Sequence, residues 1–365
     1  DKDYEKPFPI AICKPSESRT HLNYHFDVEH SYTSDKDWTW DDVRNWKYII
    51  KDSILADLSV NLFDEGGSIY NVLGELISNP AERVDLNSFI GQNVYLDKDS
   101  NSIFASITGY PYVDDNGKIN VIDKLEFNQD IVDIRLPINL AASLKVNGSV
   151  IRARLSVLKD LTVSGDIRNS EVYIEGSLEV NGDIADCLPP GLTVLNDTRF
   201  NSISNSLISC RGQLSFSSEI TGSHLIADKG IIGSPDFSSV AGSHLQTSGI
   251  IEIASAGSND GLQTELEVTI SPFLKQRITQ LTREQIKLKA EPDYNADKIQ
   301  LAEDALQELE HELSEDLKKY LVMENKDSQY VKVHNSLFKG VYIRVLKRSF
   351  SIKHNQGFAE FYAEE

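Results

Sequence analysis

A seventeen-residue repeat between residues 144 and 184 constrains the fold of this chain more than any other feature. Its apolar and glycine positions align at Leu144, Leu161 and Leu178; Val146, Val163 and Val180; Gly148, Gly165 and Gly182; Val150, Ile167 and Ile184; Leu155 and Val172; and Val157 and Ile174. Alternation of apolar and polar residues is typical of strands with one buried face. Since one short coil cannot bury its apolar row alone, a period of this length indicates stacked coils. We predict a parallel β-helix with two short strands per repeat; a meander of similar hairpins is the alternative.

The sequence on either side of the repeat predicts further segments. They are an N-terminal α/β or α+β domain at 1–105, a β-rich adaptor at 106–140, the β-helix at 141–272, an antiparallel coiled-coil hairpin at 273–325, and a closing β segment at 326–365 that completes the solenoid. The predicted fold class is therefore mainly β with α, and we expect the central parallel β-helix to be right-handed.

Local patterns predict the elements of the first region. Helical spacing of apolar residues predicts a helix over 41–58 and a short second helix over 69–77, and 89–96 is predicted as a strand. Residues 115–117 read Asp-Asn-Gly between two alternating runs, which predicts a hairpin because Asn-Gly is the preferred two-residue turn.

The repeat becomes less regular towards the C-terminal half. Residues 186–202 contain a Pro-Pro-Gly segment and are predicted to form a loop that bulges from one coil. Identical Gly-Ser-His-Leu tetrapeptides at 222–225 and 242–245 mark two later units. Further on, apolar residues at three- and four-residue spacing predict two helices joined by a tight turn at 291–294. The second helix carries seven acids and no Lys or Arg between Glu303 and Asp316.

Composition excludes several classes of function. A net charge of −20 and a pI near 4.8 argue against a nucleic acid or an anionic membrane as the main partner. No apolar run reaches the roughly 18 residues that a membrane span requires. Cys13, Cys187 and Cys210 are odd in number and far apart, which favours buried thiols in a reducing compartment. We therefore predict a cytoplasmic protein.

Histidines are the first candidates for chemistry. His224 and His244 share a local context and should lie about 5 Å apart on neighbouring coils, where they could share a metal or an acid–base task. No acid occupies a matching repeat position, so turn residues at a coil corner are the alternative. His21, His25 and His30 have the spacing of possible metal ligands, but alternation nearby predicts a strand that turns them apart. We predict no catalytic residue, no metal and no cofactor.

Enzymes built on β-solenoids are the main rival class. Left-handed acyltransferases need an apolar residue at every sixth position, and this repeat does not keep that spacing. Polysaccharide-cleaving enzymes cluster charged residues on one coil face, whereas acids here, such as Asp166 and Asp183, are scattered over turns and are expected to be solvated. The phosphate-binding glycine motifs and a nucleophile–base set are also missing. The sequence therefore predicts a non-enzymatic protein.

Two groups of residues are candidates for partner binding. Trp38, Trp40 and Trp46 lie in the first region, where they could anchor a partner or fill the core. Residues 331–354 carry six bases and no acid in an otherwise acidic chain. This segment could bind an acidic partner or be neutralised by the acidic hairpin. Its bases are Lys332, Lys339, Arg344, Lys347, Arg348 and Lys353, of which Arg344, Lys347 and Arg348 are the candidate contacts.

Several short motifs also occur together in one known family. They are Gly109-Tyr110-Pro111-Tyr112 leading into Asp115-Asn116-Gly117-Lys118, Val-x-Gly-Asp-Ile units at 163–167 and 180–184, the segment 251–268, the helical pair, and the terminal segment 338–343. On these motifs, residues from about 105 to 365 resemble the FapA family (flagellar assembly protein A) of bacteria. The Pro-Gly-rich segment usual before the solenoid is not evident, and the insertion at 186–202 is unusual. The resemblance implies a non-enzymatic role in flagellar assembly in the bacterial cytoplasm, with no catalytic residues to carry over.

These observations predict a scaffold. It would bind one or more protein partners through the N-terminal domain or the helical hairpin, in flagellar assembly or polar placement. The alternative is a self-assembling, bactofilin-like structural protein, since solenoid ends expose strand edges that pair with other chains unless they are capped. The hairpin and the acidic charge favour a monomer or a small homo-oligomer. A carbohydrate-active or acyl-transfer enzyme is the least favoured interpretation.

Overall fold

A computed structural model describes most of the chain. The described residues are 21–33, 38–59, 69–70, 76–77, 85–290, 292–322 and 329–362. The chain divides into two compact units, Asp1–Asp123 and Lys124–Glu365, and each is described by itself below. The five-segment division expected from the sequence stays a prediction.

The first unit is mainly strand in its described part. Its elements are β1 His21–Tyr24, α1 Trp40–Asn45, β2 Ile54–Ser59, β3 Ile69–Tyr70, β4 Leu76–Ile77, a 3-10 turn Leu86–Phe89, β5 Val94–Asp97, β6 Ser102–Ala105, β7 Tyr110–Val113 and β8 Ile119–Ile122. Strands β1, β2, β6 and β5 form an antiparallel sheet in that order. Leu55, Ile103 and Ile119 are fully buried in its core, so apolar side chains from β2, β6 and β8 hold this unit together.

Of the two helices predicted in the first unit, the first is much shorter than predicted and the second is wrong. The helix predicted over 41–58 is limited to α1, because Trp46 caps it in an extended conformation and β2 pairs with strands on both sides. Where 69–77 was expected to be helical, β3 and β4 pair antiparallel. The strand predicted over 89–96 begins only at Val94. The hairpin at 115–117 is confirmed, since β7 and β8 pair antiparallel around it.

The second unit is a parallel β-solenoid of about eight turns in its described part. Each full coil has three strands, not the two predicted. First strands are β9 Lys124–Phe127, β12 Ser143–Val146, β15 Leu161–Val163, β18 Leu178–Val180, β21 Thr198–Phe200, β24 Gln213–Phe216, β27 Gly230–Gly233 and β30 Ile250–Ala256. Second strands are β10 Ile131–Val132, β13 Val150–Ile151, β16 Ile167–Arg168, β19 Asp183–Ala185, β22 Ser202–Ser204, β25 Glu219–Thr221 and β28 Ser239–Ala241. Third strands are β11 Ile138–Leu140, β14 Arg154–Val157, β17 Glu171–Ile174, β20 Leu192–Val194, β23 Leu207–Cys210, β26 His224–Ala227, β29 His244–Thr247 and β31 Thr264–Val268.

Two long helices and a closing segment follow the coils. Their elements are α2 Pro272–Leu288, α3 Pro292–Val322, β32 Tyr330–Leu337, β33 Val341–Val345, β34 Arg348–Ser351 and β35 Ala359–Tyr362. Strands β32 and β33 continue the parallel stack, while β34 and β35 pair antiparallel with them. The predicted completion of the solenoid by the C-terminal strands is confirmed, and so is the mainly β fold class. The handedness of the solenoid stays a prediction.

Like residues stack on like residues across the coils, as the repeat predicts. Leu161 pairs with Leu144 on one side and with Leu178 on the other, and each of the three leucines is at most 1% exposed. Val163 stacks in the same way between Val146 and Val180. Because each coil covers the apolar row of the next, the interior is a continuous apolar core.

The recurring glycines and aspartates join neighbouring coils at a corner. Asp166 Oδ1 accepts a hydrogen bond of 2.9 Å from the backbone N–H of Asp183, and a Cβ at Gly182 would lie 2.3 Å from that oxygen. Asp183 Oδ1 accepts in turn from the Ser202 hydroxyl at 2.6 Å. The prediction that these aspartates are merely solvated is therefore wrong, and the glycine is needed because the carboxylate passes so close.

The segment 186–202 belongs to the coils instead of bulging from one of them. It contains β20 and β21, which pair in parallel with β17 and β18. Val172 pairs with Leu192, where a coil of seventeen residues would have brought residue 189 into register. The predicted loop is therefore wrong, and a short extension before β20 takes up the added length.

A column of buried serines joins the coils at another corner. Ser223 Oγ accepts a hydrogen bond of 3.1 Å from the backbone N–H of Ser206, and Ser243 Oγ does the same for Ser223 at 3.1 Å. Each hydroxyl also donates to the carbonyl two residues earlier. The residue before each of these serines has a positive φ, of 57° at Gly222 and 60° at Gly242. The serines thus satisfy backbone N–H groups that would otherwise be buried at the turn.

We expect Ser223→Ala to lower the free energy of unfolding by about 1–3 kcal/mol, because the N–H of Ser206 would lose its acceptor while remaining buried. Urea denaturation of the variant and the wild type measures this difference. The matched control is Ser217→Ala, since Ser217 is exposed and bonds only to the side chain of Asn201 among the contacts that the structure gives it. Equal stability of the two variants would contradict the role of the serine column.

The two long helices are antiparallel. Ser271, just before α2, donates to Asp316 Oδ2 late in α3 at 2.6 Å, and Lys289, just after α2, lies 2.9 Å from Glu303 Oε1 early in α3. The predicted antiparallel hairpin is therefore confirmed, while its coiled-coil character stays a prediction. The turn predicted at 291–294 is wrong in its position, because α3 already begins at Pro292. In the described part of the chain, no helix combines the length and the apolar composition needed to cross a bilayer.

Candidate functional site

Helix α2 and the outer face of the third-strand sheet enclose an open cleft of about 1380 Å³, which we call the α2 cleft. The N-terminal end of α2 packs against the solenoid. The Phe273 ring lies 4.0 Å from the guanidinium carbon of Arg211, and Ile226, although it faces outward from β26, is fully buried. The outward side chains of β23, β26 and β29 form the floor of the cleft, and α2 forms one wall.

The two histidines of the repeated tetrapeptide lie on this floor. Strands β26 and β29 pair in register at His224 and His244, and the two imidazole rings stack with centroids 4.8 Å apart and planes 1° from parallel. The predicted separation of about 5 Å is confirmed. The rings are stacked in parallel planes because equivalent side chains of successive coils point the same way.

A hydrogen-bonded chain runs from this stack to a buried carboxylate. His224 Nε2 donates to Gln246 Oε1 at 3.2 Å, and Gln246 Nε2 donates to Glu267 Oε2 at 2.7 Å. His244 Nε2 lies 3.5 Å from the same carboxylate oxygen. Glu267 Oε1 accepts from Arg344 at 3.3 Å. We call His224, His244, Gln246, Glu267 and Arg344 the His–Glu network.

An acidic residue does occupy a position that matches the histidines, so the contrary prediction is wrong. Strand β31 pairs with β29 so that Glu265 is the register partner of His244, and Glu267 is the partner of Gln246. Counting by seventeen residues misses this match, because the coil from His244 to Glu265 is four residues longer than the seventeen-residue repeat. The alternation of 264–268, aligned strand to strand, is the signal that could have found it.

The network shifts the pKa values of its members. The contact with His244, the hydrogen bond from Gln246 and the charges of Arg344 and Lys275 lower the pKa of Glu267 to about 2, against the opposing effect of burial. Burial, with the neighbouring His244, lowers the pKa of His224. The lowered pKa makes this carboxylate a weak base, and its two oxygens accept hydrogen bonds from Gln246 on β29 and Arg344 on β33. The network is built to hold successive coils together.

The other histidine group is not brought together. His25 Nε2 lies 2.8 Å from Asp57 Oδ2, and His30 Nδ1 lies 3.0 Å from Asp27 Oδ2, so the two rings pair with different carboxylates. Among the residues that the structure describes, no group of three or more His, Cys, Asp or Glu side chains is arranged to hold a metal ion.

The three tryptophans form one aromatic cluster in the first unit. Trp38 contacts Trp40 and Trp46 edge to face, with ring centroids 5.4 Å and 5.6 Å apart, and Trp46 also contacts Tyr32 and Tyr110. All three tryptophans are half-buried. Each ring is therefore partly covered by the first unit and partly open to solvent. A role in partner binding stays a prediction.

The basic C-terminal segment is neutralised in part by solenoid acids. Arg344 bonds to Glu267 on β31, and Lys332 lies 2.8 Å from Glu360 on β35. For these two bases, the acids belong to neighbouring strands and not to the acidic helix that the sequence suggested. Lys347 and Arg348 are exposed at the turn between β33 and β34. Partner binding by Arg344, Lys347 and Arg348 stays a prediction.

Two of the three cysteines are described, and both are buried free thiols, as predicted. Burial raises the pKa of Cys187 and of Cys210. Because the thiolate is the reactive form, these cysteines are unsuited to nucleophilic chemistry. Cys13 lies outside the described residues.

Three basic residues of α2 were not among the candidate site residues predicted from the sequence. Lys275, Arg283 and Lys287 all line the α2 cleft. They are separated by eight and then four residues, which places them on one face of a helix. Charge spacing within the predicted helix is therefore the signal that could have found them.

The stacked three-strand coils and the helical pair before the closing strands define a β-solenoid protein. The family model described as the Flagellar Assembly Protein A beta solenoid domain matches residues 137–365. The chain therefore belongs to the FapA family, as its motifs indicated. Comparison with curated proteins gave no match, and comparison with solved structures gave none.

Proposed function

We propose that this chain is a non-enzymatic scaffold that binds a protein partner in the bacterial cytoplasm and acts in flagellar assembly or in the polar placement of flagella. The observation that carries the proposal is the FapA match over 137–365, which spans the solenoid from β11 onward and the helical pair. The hydrogen bonds of the polar side chains in the solenoid also support this proposal. Asp166, Ser223 and Glu267 bond neighbouring coils instead of converging on a reactive centre.

The aromatic cluster of the first unit is our candidate contact surface. Trp38, Trp40 and Trp46 present half-buried rings that are already ordered by edge-to-face contacts. Preordered aromatic side chains lose little entropy on binding, and tryptophan is enriched at the centre of protein interfaces. This supports the first unit as a partner-facing part.

Deleting the encoding gene from its source strain is expected to change the number or the position of flagella, as seen by electron microscopy. The wild-type gene should restore them, whereas W38A/W40A should restore them poorly although the protein reaches the same cellular level. Tyr48→Ala is the matched control, because Tyr48 is a 50% exposed aromatic residue of the same unit. Normal flagella in the deletion strain would contradict the proposed function.

Self-assembly like that of a bactofilin remains the alternative. Strands β34 and β35 pair antiparallel with the final coil, an arrangement that supports a monomer or a small oligomer, because paired edges do not recruit another chain. Light scattering over a range of protein concentrations separates the two, since a filament would grow with concentration and a scaffold of fixed size would not.

A further inference from the structure

We propose that the α2 cleft binds an extended acidic segment of a partner protein. This inference rests on the proposed scaffold function and names the chemistry of the partner. Its basis is the charge, the size and the spacing of the groups that line the cleft.

The cleft is positively charged within a strongly acidic chain. Lys275, Arg283 and Lys287 line its helical wall, and Glu284 is the one carboxylate among its lining residues, all of which are described. Within the described residues, no carboxylate oxygen lies within 4.0 Å of a side-chain nitrogen of Arg283 or Lys287. The ammonium of Lys275 also donates to the Thr269 hydroxyl and its charge acts on Glu267, so Arg283 and Lys287 carry most of the attraction. With one carboxylate among the lining residues, in a chain of net charge −20, this wall forms a local surface that attracts anions.

The floor supplies hydrogen-bonding groups and little negative charge. His224, His244 and Gln246 are half-buried and line the cleft, while Glu267 is 9% exposed and its carboxylate is already bonded to Gln246 and Arg344. The nearest buried acid is therefore compensated within the His–Glu network. Glu265, the register partner of His244, is 34% exposed and lies 3.8 Å from His244 beside the floor, but it is not among the residues that line the cleft. An acidic ligand in the cleft would therefore meet the cations of the wall and a floor whose lining residues carry no carboxylate.

The size of the cleft favours a peptide over a small molecule. Its volume of about 1380 Å³ is larger than the roughly 300–1,000 Å³ typical of small-molecule sites, and it is open along the helix. On an α-helix, Arg283 and Lys287 are separated by about 6 Å, and Lys275 and Arg283 by about 12 Å. An extended chain advances about 3.3 Å per residue. Acids at the first, third and seventh positions of an extended segment would therefore face Lys287, Arg283 and Lys275 in turn.

The test is fluorescence anisotropy with the full chain and fluorescein-labelled peptides. The probes are Glu-Ser-Glu-Ser-Gly-Ser-Glu, the same sequence reversed, and a version with Gln in place of each Glu. We expect at least one acidic peptide to bind and the Gln version not to bind. R283Q/K287Q should weaken binding by about tenfold or more, because each exposed charge contact contributes modestly and two are lost. Higher salt should weaken it further.

The matched control is R277Q/K298Q, which removes the same charge from exposed positions outside the cleft. It should change the dissociation constant by less than about twofold, and both double variants should keep the circular dichroism spectrum of the wild type. Equal loss in the two variants, equal binding of the Gln peptide, or no binding of either acidic peptide would overturn the proposal. Displacement of the probe by a single-stranded oligonucleotide at a lower concentration than by unlabelled peptide would also overturn it. None of these results alters the flagellar phenotype of the gene deletion, so the two proposals can fail separately.

Discussion

Leu161→Ala is expected to lower the free energy of unfolding by about 2–5 kcal/mol, one of the two largest effects that we predict for a single substitution. Leu161 is 0% exposed and lies between Leu144 and Leu178, so coils on both sides hold the space open when the side chain is removed. The stack cannot close this cavity without shifting the backbone of three coils. Urea denaturation followed by circular dichroism measures the effect.

The control for this prediction is the next residue in the same strand. Thr162 points outward between Lys145 and Glu179, and Thr162→Ala should change the free energy of unfolding by no more than about 0.5 kcal/mol. If the leucine variant were no less stable than the threonine variant, residue 161 could not belong to a continuous core.

Glu267→Gln is expected to destabilise the chain by about 2–3 kcal/mol at neutral pH. The pKa of Glu267 in the folded chain is about 2, against an ordinary value of 4.5, so folding favours its charged form. The variant keeps the shape of the side chain but loses the charge that attracts Arg344 and Lys275. Urea denaturation at pH 7 measures the difference.

The stabilisation by Glu267 should depend on pH in one direction. Because the pKa is lower in the folded state, the contribution is complete above about pH 4.5 and is lost as the pH falls towards 2. The gap between wild type and Glu267→Gln should therefore shrink over that interval. Glu265→Gln is the control, since the side chain of Glu265 is 34% exposed and should contribute less. A gap that stays constant from pH 6 to pH 2 would show that the charge of Glu267 is not what stabilises the fold.

The solenoid could be predicted from the sequence because residues that are one period apart in the sequence are the residues that pack on each other. Leu144, Leu161 and Leu178 recur at equal spacing because they are stacked, so self-comparison reveals their contacts directly. The hairpin at 115–117 was predictable for a different reason, since its turn chemistry is local. Both signals depend on short-range information alone.

The first unit was harder to predict because its contacts are not periodic. Ile54 and Leu55 fit a helical spacing with Trp46 and Ile50, but strand β2 has partners on both edges that lie far away in the sequence. Those partners decide the conformation, and no pattern within 41–58 records them. Pairing between distant segments overrode the local periodicity here.

The candidate site was only half predictable for a related reason. The stacked pair His224 and His244 follows from two identical tetrapeptides. The partners Glu265 and Glu267 lie beyond a coil of different length, where counting by seventeen fails. The cations of α2 reach the cleft only because the helix folds back over the sheet, an arrangement that the sequence of the repeat does not contain.

The central claim is that equivalent residues of successive coils form one straight stack in the second unit. Strand pairing links Lys145 through three intermediate coils to Ser215, and continues over two further coils to Glu252. Since neighbouring strands are about 4.8 Å apart, each coil should add that distance along the stack.

Electron paramagnetic resonance between pairs of nitroxide labels tests this directly. The pairs are K145C/S215C and K145C/E252C in the full chain with Cys13→Ser, in which the buried Cys187 and Cys210 remain. We predict that the second distance exceeds the first by about 10 Å, the rise of two coils. Two equal distances, or a shorter second one, would contradict the stacked solenoid.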